Sequence, residues 1–123
     1  SKATASIGED VLKEMIEQEN ANKVGEFSLT DKKFSKITRF MANTLYDENV
    51  GGPHGNTHIA LGNAYRDSYS GDKSSLSSAD WNELGFNESN VHTDIVSTEN
   101  RVVTATLKSG EKLIIYENGE FVI

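Results

Sequence analysis

The stretch Thr44–Tyr65, TLYDENVGGPHGNTHIALGNAY, gathers more metal-capable side chains beside special backbone than any other window of the chain. It holds Asp47, Glu48, His54 and His58 together with Gly51, Gly52, Gly55, Gly62 and the only proline. The remaining histidine lies downstream in Val91-His92-Thr93-Asp94-Ile95-Val96, and an upstream acid, Glu26, stands in Val24-Gly25-Glu26-Phe27-Ser28-Leu29. On a strand, His92 and Asp94 point to the same face, so an imidazole and a carboxylate can share one ion. Zinc and its relatives take such nitrogen and oxygen donors at about 2 Å. Each piece has a plainer reading. A His-x-Asp also serves as a hydrogen-bonded pair, a lone buried histidine as a satisfied core residue, and an acid in a short apolar strand as an exposed edge. Taken together, Glu26, Glu48, His58, His92 and Asp94 form an oxygen-rich donor set of the kind used for two-metal hydrolysis rather than for a closed structural zinc.

The elements that must position these residues follow from periodicity and turn chemistry. Ser6-Ile7-Gly8-Glu9 fits a capping box, and Ile7, Val11, Leu12, Met15 and Ile16 recur at helical spacing. They predict a helix over residues 7–19 that packs its apolar face into the core. Val24–Thr30 alternates as a strand, with Glu26 and Ser28 on one face and Phe27 and Leu29 on the other. Residues 31–37 read as a loop, and 40–46 fit either helix or strand. Gly51–Asn56 is a breaker cluster. Residues 57–64 read as a buried strand, with His58 and Ala60 on the face opposite Ile59 and Leu61. A polar loop over 66–78 leads to a short helix over 79–84, ended by Gly85 and pinned by Trp81, Leu84 and Phe86. The last third predicts strands at 91–97, 101–107, 111–116 and 120–123, with turns at Ser109-Gly110 and Asn118-Gly119. One amphipathic helix followed mainly by strands implies a mixed α/β or α+β domain with an antiparallel or mixed sheet.

The 123 residues suffice for one small domain, and 36% apolar with 25% charged residues is ordinary for a water-soluble chain. The net charge of −7, with the basic residues scattered, argues against nucleic acid. No apolar run approaches the roughly 18 residues of a membrane span, and no signal peptide is visible. The absence of cysteine removes disulfides, thiolate nucleophiles and Cys-type zinc sites, and fits a reducing compartment. No serine lies in a Gly-x-Ser-x-Gly context, which disfavours a nucleophilic triad. Asn87-Glu88-Ser89 matches a glycosylation acceptor, a pattern common by chance. The chain starts Ser1-Lys2-Ala3 without methionine, as tag removal or excision from a longer protein would leave it.

Gly25-Glu26, Thr44-Leu45-Tyr46-Asp47-Glu48-Asn49, His58-Ile59-Ala60-Leu61-Gly62-Asn63-Ala64-Tyr65 and Asn87-Glu88-Ser89-x-x-His92-x-Asp94 occur in that order. This ordered set resembles the C-terminal part of the thermophilic-type metallo-aminopeptidases, the aminopeptidase T, aminopeptidase S and PepS group, over nearly the whole chain. The resemblance implies a cytoplasmic, homodimeric exopeptidase acting on peptides with a free N-terminus. It implies two divalent ions, zinc or cobalt first and magnesium or manganese as alternatives. Glu26 would bridge the metals, and Glu48, His58, His92 and Asp94 would complete the ligands carried here. Tyr65 would lie beside the metals and assist catalysis, with Glu26 also moving the proton.

Two departures qualify the carry-over. The family uses a further glutamate ligand upstream of the Gly-Glu strand, and neither Glu9 nor Glu14 fits that context, so residues 1–123 read as a C-terminal, metal-bearing region incomplete for catalysis. The link from Asp47-Glu48-Asn49 to the histidine is also longer than in the compact family form, which makes His54 a rival ligand, although it lacks the following Ile-Ala-Leu-Gly. Alternative readings are a non-catalytic metal- or peptide-binding module, or a plain structural domain whose histidines merely pack.

Overall fold

A computed structural model describes residues 4–123; Ser1–Ala3 lie outside the described residues. The chain forms helices α1 (Glu9–Ile16), α2 (Thr44–Asp47) and α3 (Ser78–Glu83) and strands β1 (Val24–Thr30), β2 (Asn56–Gly62), β3 (His92–Ser97), β4 (Val102–Thr106), β5 (Lys112–Glu117) and β6 (Glu120–Phe121). The strands make two antiparallel three-stranded sheets, ordered β1-β2-β3 and β4-β5-β6. This is the mixed helix-and-sheet composition expected from the sequence. No helix among the described residues is long and apolar enough to cross a membrane.

The chain divides into two compact units. Unit 1 takes the chain up to Phe27 and Ile59–Ile95, and unit 2 takes Ser28–His58 and Val96–Ile123.

In unit 1, α1 is shorter than the 7–19 expected, and Ser6 does not cap it. Gly8 is the N-cap, at φ 70°, a left-handed conformation that keeps the preceding residues out of the helix. The Glu9 carboxylate accepts from the Ala5 N–H instead of from Ser6, and it also pairs with Lys13. Asn20, at φ 56°, closes the turn after the helix. The apolar face is not the core element expected: none of α1 is buried, Ile7 and Val11 are exposed, and only Leu12, Met15 and Ile16 are partly covered.

The short α3 has the capping box that α1 lacks. The Ser77 hydroxyl faces the Asp80 N–H at 3.3 Å, and the Asp80 carboxylate accepts from the Ser77 N–H at 2.7 Å. Gly85, at φ +86°, ends the helix as expected. Trp81 is buried and meets the edges of Phe86 and Tyr69 at centroid distances of 5.1 and 5.3 Å. Leu84, expected to help pin this helix, is exposed, and Tyr69 from the preceding loop takes that role. The loop itself is broken by 3-10 turns at Arg66–Ser68 and Lys73–Ser75.

Unit 2 is built around Tyr116, which is fully buried. Its hydroxyl lies 2.9 Å from the Thr30 carbonyl oxygen and 3.2 Å from that of His54, and donates its proton between them. The site has room only because Gly55 and Gly119 lack a Cβ. A Cβ on Gly55, at φ +61°, would lie 2.0 Å from the Tyr116 hydroxyl and 2.3 Å from the Thr30 carbonyl. Asn118 and Gly119 have φ of 52° and 82°, the paired positive values of a type I′ turn between β5 and β6. Asp31 is buried beside this turn and accepts from the Phe121 and Lys33 amides. Of residues 40–46, ambiguous by pattern, 44–46 are the start of α2 and 40–43 are irregular, with Ala42 at φ 55°. The Asp47 carboxylate accepts from the Met41 and Asn43 amides at 2.7 and 3.1 Å and shapes the chain entering that helix.

Candidate metal centre

Unit 1 brings Glu26, Tyr65, His92 and Asp94 together. His92 Nε2 lies 3.5 Å from Asp94 Oδ1 and 3.8 Å from Glu26 Oε2. His92 Nδ1 lies 2.7 Å from the Asn63 carbonyl oxygen. A carbonyl can only accept, so Nδ1 carries a proton and the Nε2 face is the one turned to the carboxylates. The Asp94 side chain is only 5% exposed, and neither of its oxygens has a hydrogen-bond donor among the described residues. A buried carboxylate ordinarily collects donors, because losing water without replacing its hydrogen bonds is costly. The Tyr65 ring packs against His92 at a centroid distance of 4.5 Å, and Tyr65 is otherwise exposed.

The backbone explains why the motif residues take these places. Gly62, at φ +96°, turns the chain out of β2, and the Asn63 N–H then donates to the Val91 carbonyl at 2.6 Å. A Cβ on Gly25 would lie 2.4 Å from the Asn63 carbonyl oxygen and 2.5 Å from that of Gly62, so Glu26 must be preceded by glycine. Asn87 is buried. Its carboxamide nitrogen donates to the Gly62 and Asn20 carbonyls at 2.6 and 2.8 Å, and its own carbonyl accepts from the Ala64 N–H. Both amide protons are therefore spent, which removes Asn87-Glu88-Ser89 as a glycosylation acceptor in the folded chain. Sequence reasoning quoted Asn63 and Asn87 inside motifs but gave them no role. The available signal was that each is an amide in the same ordered motif as a proposed site residue, Asn63 with His58 and Tyr65, and Asn87 with His92 and Asp94.

Unit 2 carries His58 and Glu48. His58 is buried at 2% exposure, and its Nδ1 lies 2.9 Å from the Glu48 carbonyl oxygen, which again assigns the proton to Nδ1. Glu48 is the C-cap of α2, and its carboxylate accepts from the Asn49 side chain at 3.2 Å. Asn49 donates to the Leu45 carbonyl as well. The rival histidine, His54, lies in the turn before β2, where its backbone carbonyl accepts from Tyr116. In β2 the buried face is the polar and small one: Asn56, His58 and Ala60 are buried, whereas Ile59 is exposed.

The thermophilic metalloprotease (M29) family profile matches residues 1–121, and the chain belongs to that family of metal-dependent peptidases. No curated protein matches the chain.

In unit 1 the donor types, one imidazole nitrogen and two carboxylates, are those a divalent cation takes. A histidine whose Nδ1 is fixed by a backbone carbonyl presents Nε2 outward, which is how metal-binding histidines are commonly oriented. The adjacent Asp94 oxygens lack the donors that would otherwise compensate their burial. Among the described residues, no group of three or more His, Asp or Glu side chains is arranged to hold an ion.

Proposed function

We propose that the chain is the metal-bearing, C-terminal region of an M29 aminopeptidase, a cytoplasmic homodimer that hydrolyses the first peptide bond of substrates with a free N-terminus. The observation that carries this reading is the buried Asp94 carboxylate, without hydrogen-bond donors, beside the outward Nε2 of His92. With family membership, it favours a ligand set of Glu26, Glu48, His58, His92 and Asp94 for two divalent ions, zinc or cobalt before magnesium or manganese. Glu48 and His58 enter on the ordered motif resemblance. The bound ions supply Lewis acidity and a water acidified to near neutral pH.

The protein's own groups would then do the following. His92 and Asp94 hold their donor atoms in place, His92 through Asn63 and Asp94 through burial. Glu26 takes the proton of the attacking water and returns it to the leaving amine. Tyr65, next to His92 and open to solvent on its other side, donates a hydrogen bond to the substrate carbonyl oxygen as that oxygen gains negative charge. The family pattern adds one more glutamate ligand, for which no residue here has the matching context. This chain by itself is therefore expected to bind metal weakly and turn over slowly.

Calorimetric titration with zinc and with cobalt, alongside an aminoacyl chromogenic assay, tests the reading. Heat of binding that disappears in His92→Ala and His58→Ala supports it. Metal affinity unchanged in both variants would sink the ligand assignment, and rapid turnover by this chain would sink the proposed incompleteness.

A further inference from the structure

We infer that Asn87 is a positioning residue for the His92 imidazole, acting through the Gly62-Asn63 turn; this deepens the metal-centre reading and rests on it for its functional meaning. The chain of contacts is short and entirely within unit 1. The Asn87 carboxamide donates at 2.6 Å to the Gly62 carbonyl and at 2.8 Å to the Asn20 carbonyl. Its backbone carbonyl accepts from Ala64 at 2.8 Å. Asn87 therefore holds both neighbours of Asn63. The Asn63 N–H is held in turn by the Val91 carbonyl at 2.6 Å, and the Ser89 N–H reaches the Asn63 side-chain oxygen at 3.3 Å. What remains of Asn63 is its carbonyl oxygen, and that is the atom His92 Nδ1 bonds at 2.7 Å.

The opposite wall of this clamp is Gly25. A Cβ there would strike the same Asn63 carbonyl, and the struck atoms are backbone that cannot swing aside. The carbonyl is thus caught between an amide that braces its turn and a glycine that leaves it space. An imidazole proton held at Nδ1 leaves Nε2 to face Asp94 and Glu26. If the carbonyl shifts, the ring loses the bond that selects this tautomer. Supporting groups of this kind typically change metal affinity by about 10–100-fold.

The test is nitrogen-15 NMR of the histidine rings in the full chain without metal, followed upward in pH until the ring of His92 is neutral. In the wild type the proton is expected at Nδ1, and the Asn87 side-chain amide protons are expected to exchange slowly with solvent. In Asn87→Ala and in Gly25→Ala, the ring is expected to populate the Nε2-protonated form, and cobalt affinity should fall by about 10–100-fold. A wild-type proton at Nε2, freely exchanging Asn87 amide protons, or an unchanged tautomer in both folded variants would overturn the inference. Should either variant fail to fold, the wild-type tautomer and amide exchange still decide it. A tautomer that shifts as expected in a protein that binds no cobalt would uphold the clamp and refute the metal-centre reading separately.

Discussion

His92 and His58 are oriented by the same bond in different settings. Each gives its Nδ1 proton to a backbone carbonyl, at 2.7 Å to Asn63 and at 2.9 Å to Glu48. In unit 1 the accepting carbonyl sits on a turn braced by an asparagine side chain. In unit 2 it sits at the end of the four-residue helix α2, and β2 begins after a loop anchored by the Tyr116 hydroxyl. A hydrogen bond to a carbonyl fixes a ring only as well as the carbonyl itself is fixed. Unit 1 meets that need with polar contacts beside the ring, and unit 2 with a buried aromatic and bare glycines further away. Damage to the Tyr116 anchor of unit 2 should therefore appear first as lost stability, and damage to the braced turn of unit 1 first as lost affinity.

Gly55→Ala presses hardest on this difference. The residue combines a positive φ with backbone and hydroxyl atoms that leave no room for a methyl group. The expected loss is about 3 kcal/mol or more, read as a lower midpoint in urea unfolding. A midpoint close to wild type would show that the anchor is not where unit 2 keeps its stability. Asp94→Asn probes the other unit. Cobalt affinity should fall on the order of 100-fold, about 2.7 kcal/mol, because a charged donor is removed. Without metal, the variant should unfold no more easily than wild type, since a buried carboxylate lacking donors is costly to keep. Parallel losses of stability and affinity would erase the distinction between the units.

Tyr116→Phe is the milder test of unit 2. It removes the donor to the Thr30 and His54 carbonyls and should cost about 1–2 kcal/mol. Burial holds the Tyr116 phenol above its ordinary value of 10.0. Its contribution is therefore complete below the unfolded pKa and is lost as pH rises from there through the folded pKa, because the unfolded chain ionises first. The stability gap between wild type and Tyr116→Phe should narrow in alkaline solution, as chemical unfolding at successive pH values would show.

Much of this arrangement was legible in the sequence, and the exceptions have physical causes. β1 ran where alternation placed it, from Val24 to Thr30, and Asn118-Gly119 made the turn that its left-handed preference demands. The common face of His92 and Asp94 followed from strand geometry alone, and the structure brings Glu26 to the same imidazole. Periodicity failed at α1, because it records which residues are apolar and not whether another element arrives to cover them. At β2 alternation separated His58 and Ala60 from Ile59 and Leu61 as the structure does, but apolarity does not show that the polar and small side chains are the more buried ones and that Ile59 faces out. Asn87 and Gly25 stand in the motifs, but no motif shows their roles, because their work is done on backbone carbonyls distant in sequence.

The smallest effect concerns the helix that sequence reasoning located but did not cap. The spacing of Ser6 to a glutamate matches the usual capping-box signature, yet the capping box that forms joins Ser77 to an aspartate. A shorter acid can reach back to the cap N–H when the chain enters the helix in an extended conformation, as it does at Ser77, with φ −79° and ψ 169°. Hydrogen bonds from the Ser77 hydroxyl, and then from its backbone N–H, lower the Asp80 pKa from 3.8. A depressed carboxylate stabilises the fold above its unfolded pKa and loses that contribution as pH falls through the folded one. Ser77→Ala should cost about 1 kcal/mol near neutral pH and less in strong acid. Because α3 packs through Trp81 against Phe86 and Tyr69, cobalt affinity should stay at the wild-type level. Equal damage to affinity would mean that unit 1 transmits strain from its periphery to His92 and Asp94, and that its polar contacts do not isolate the imidazole after all.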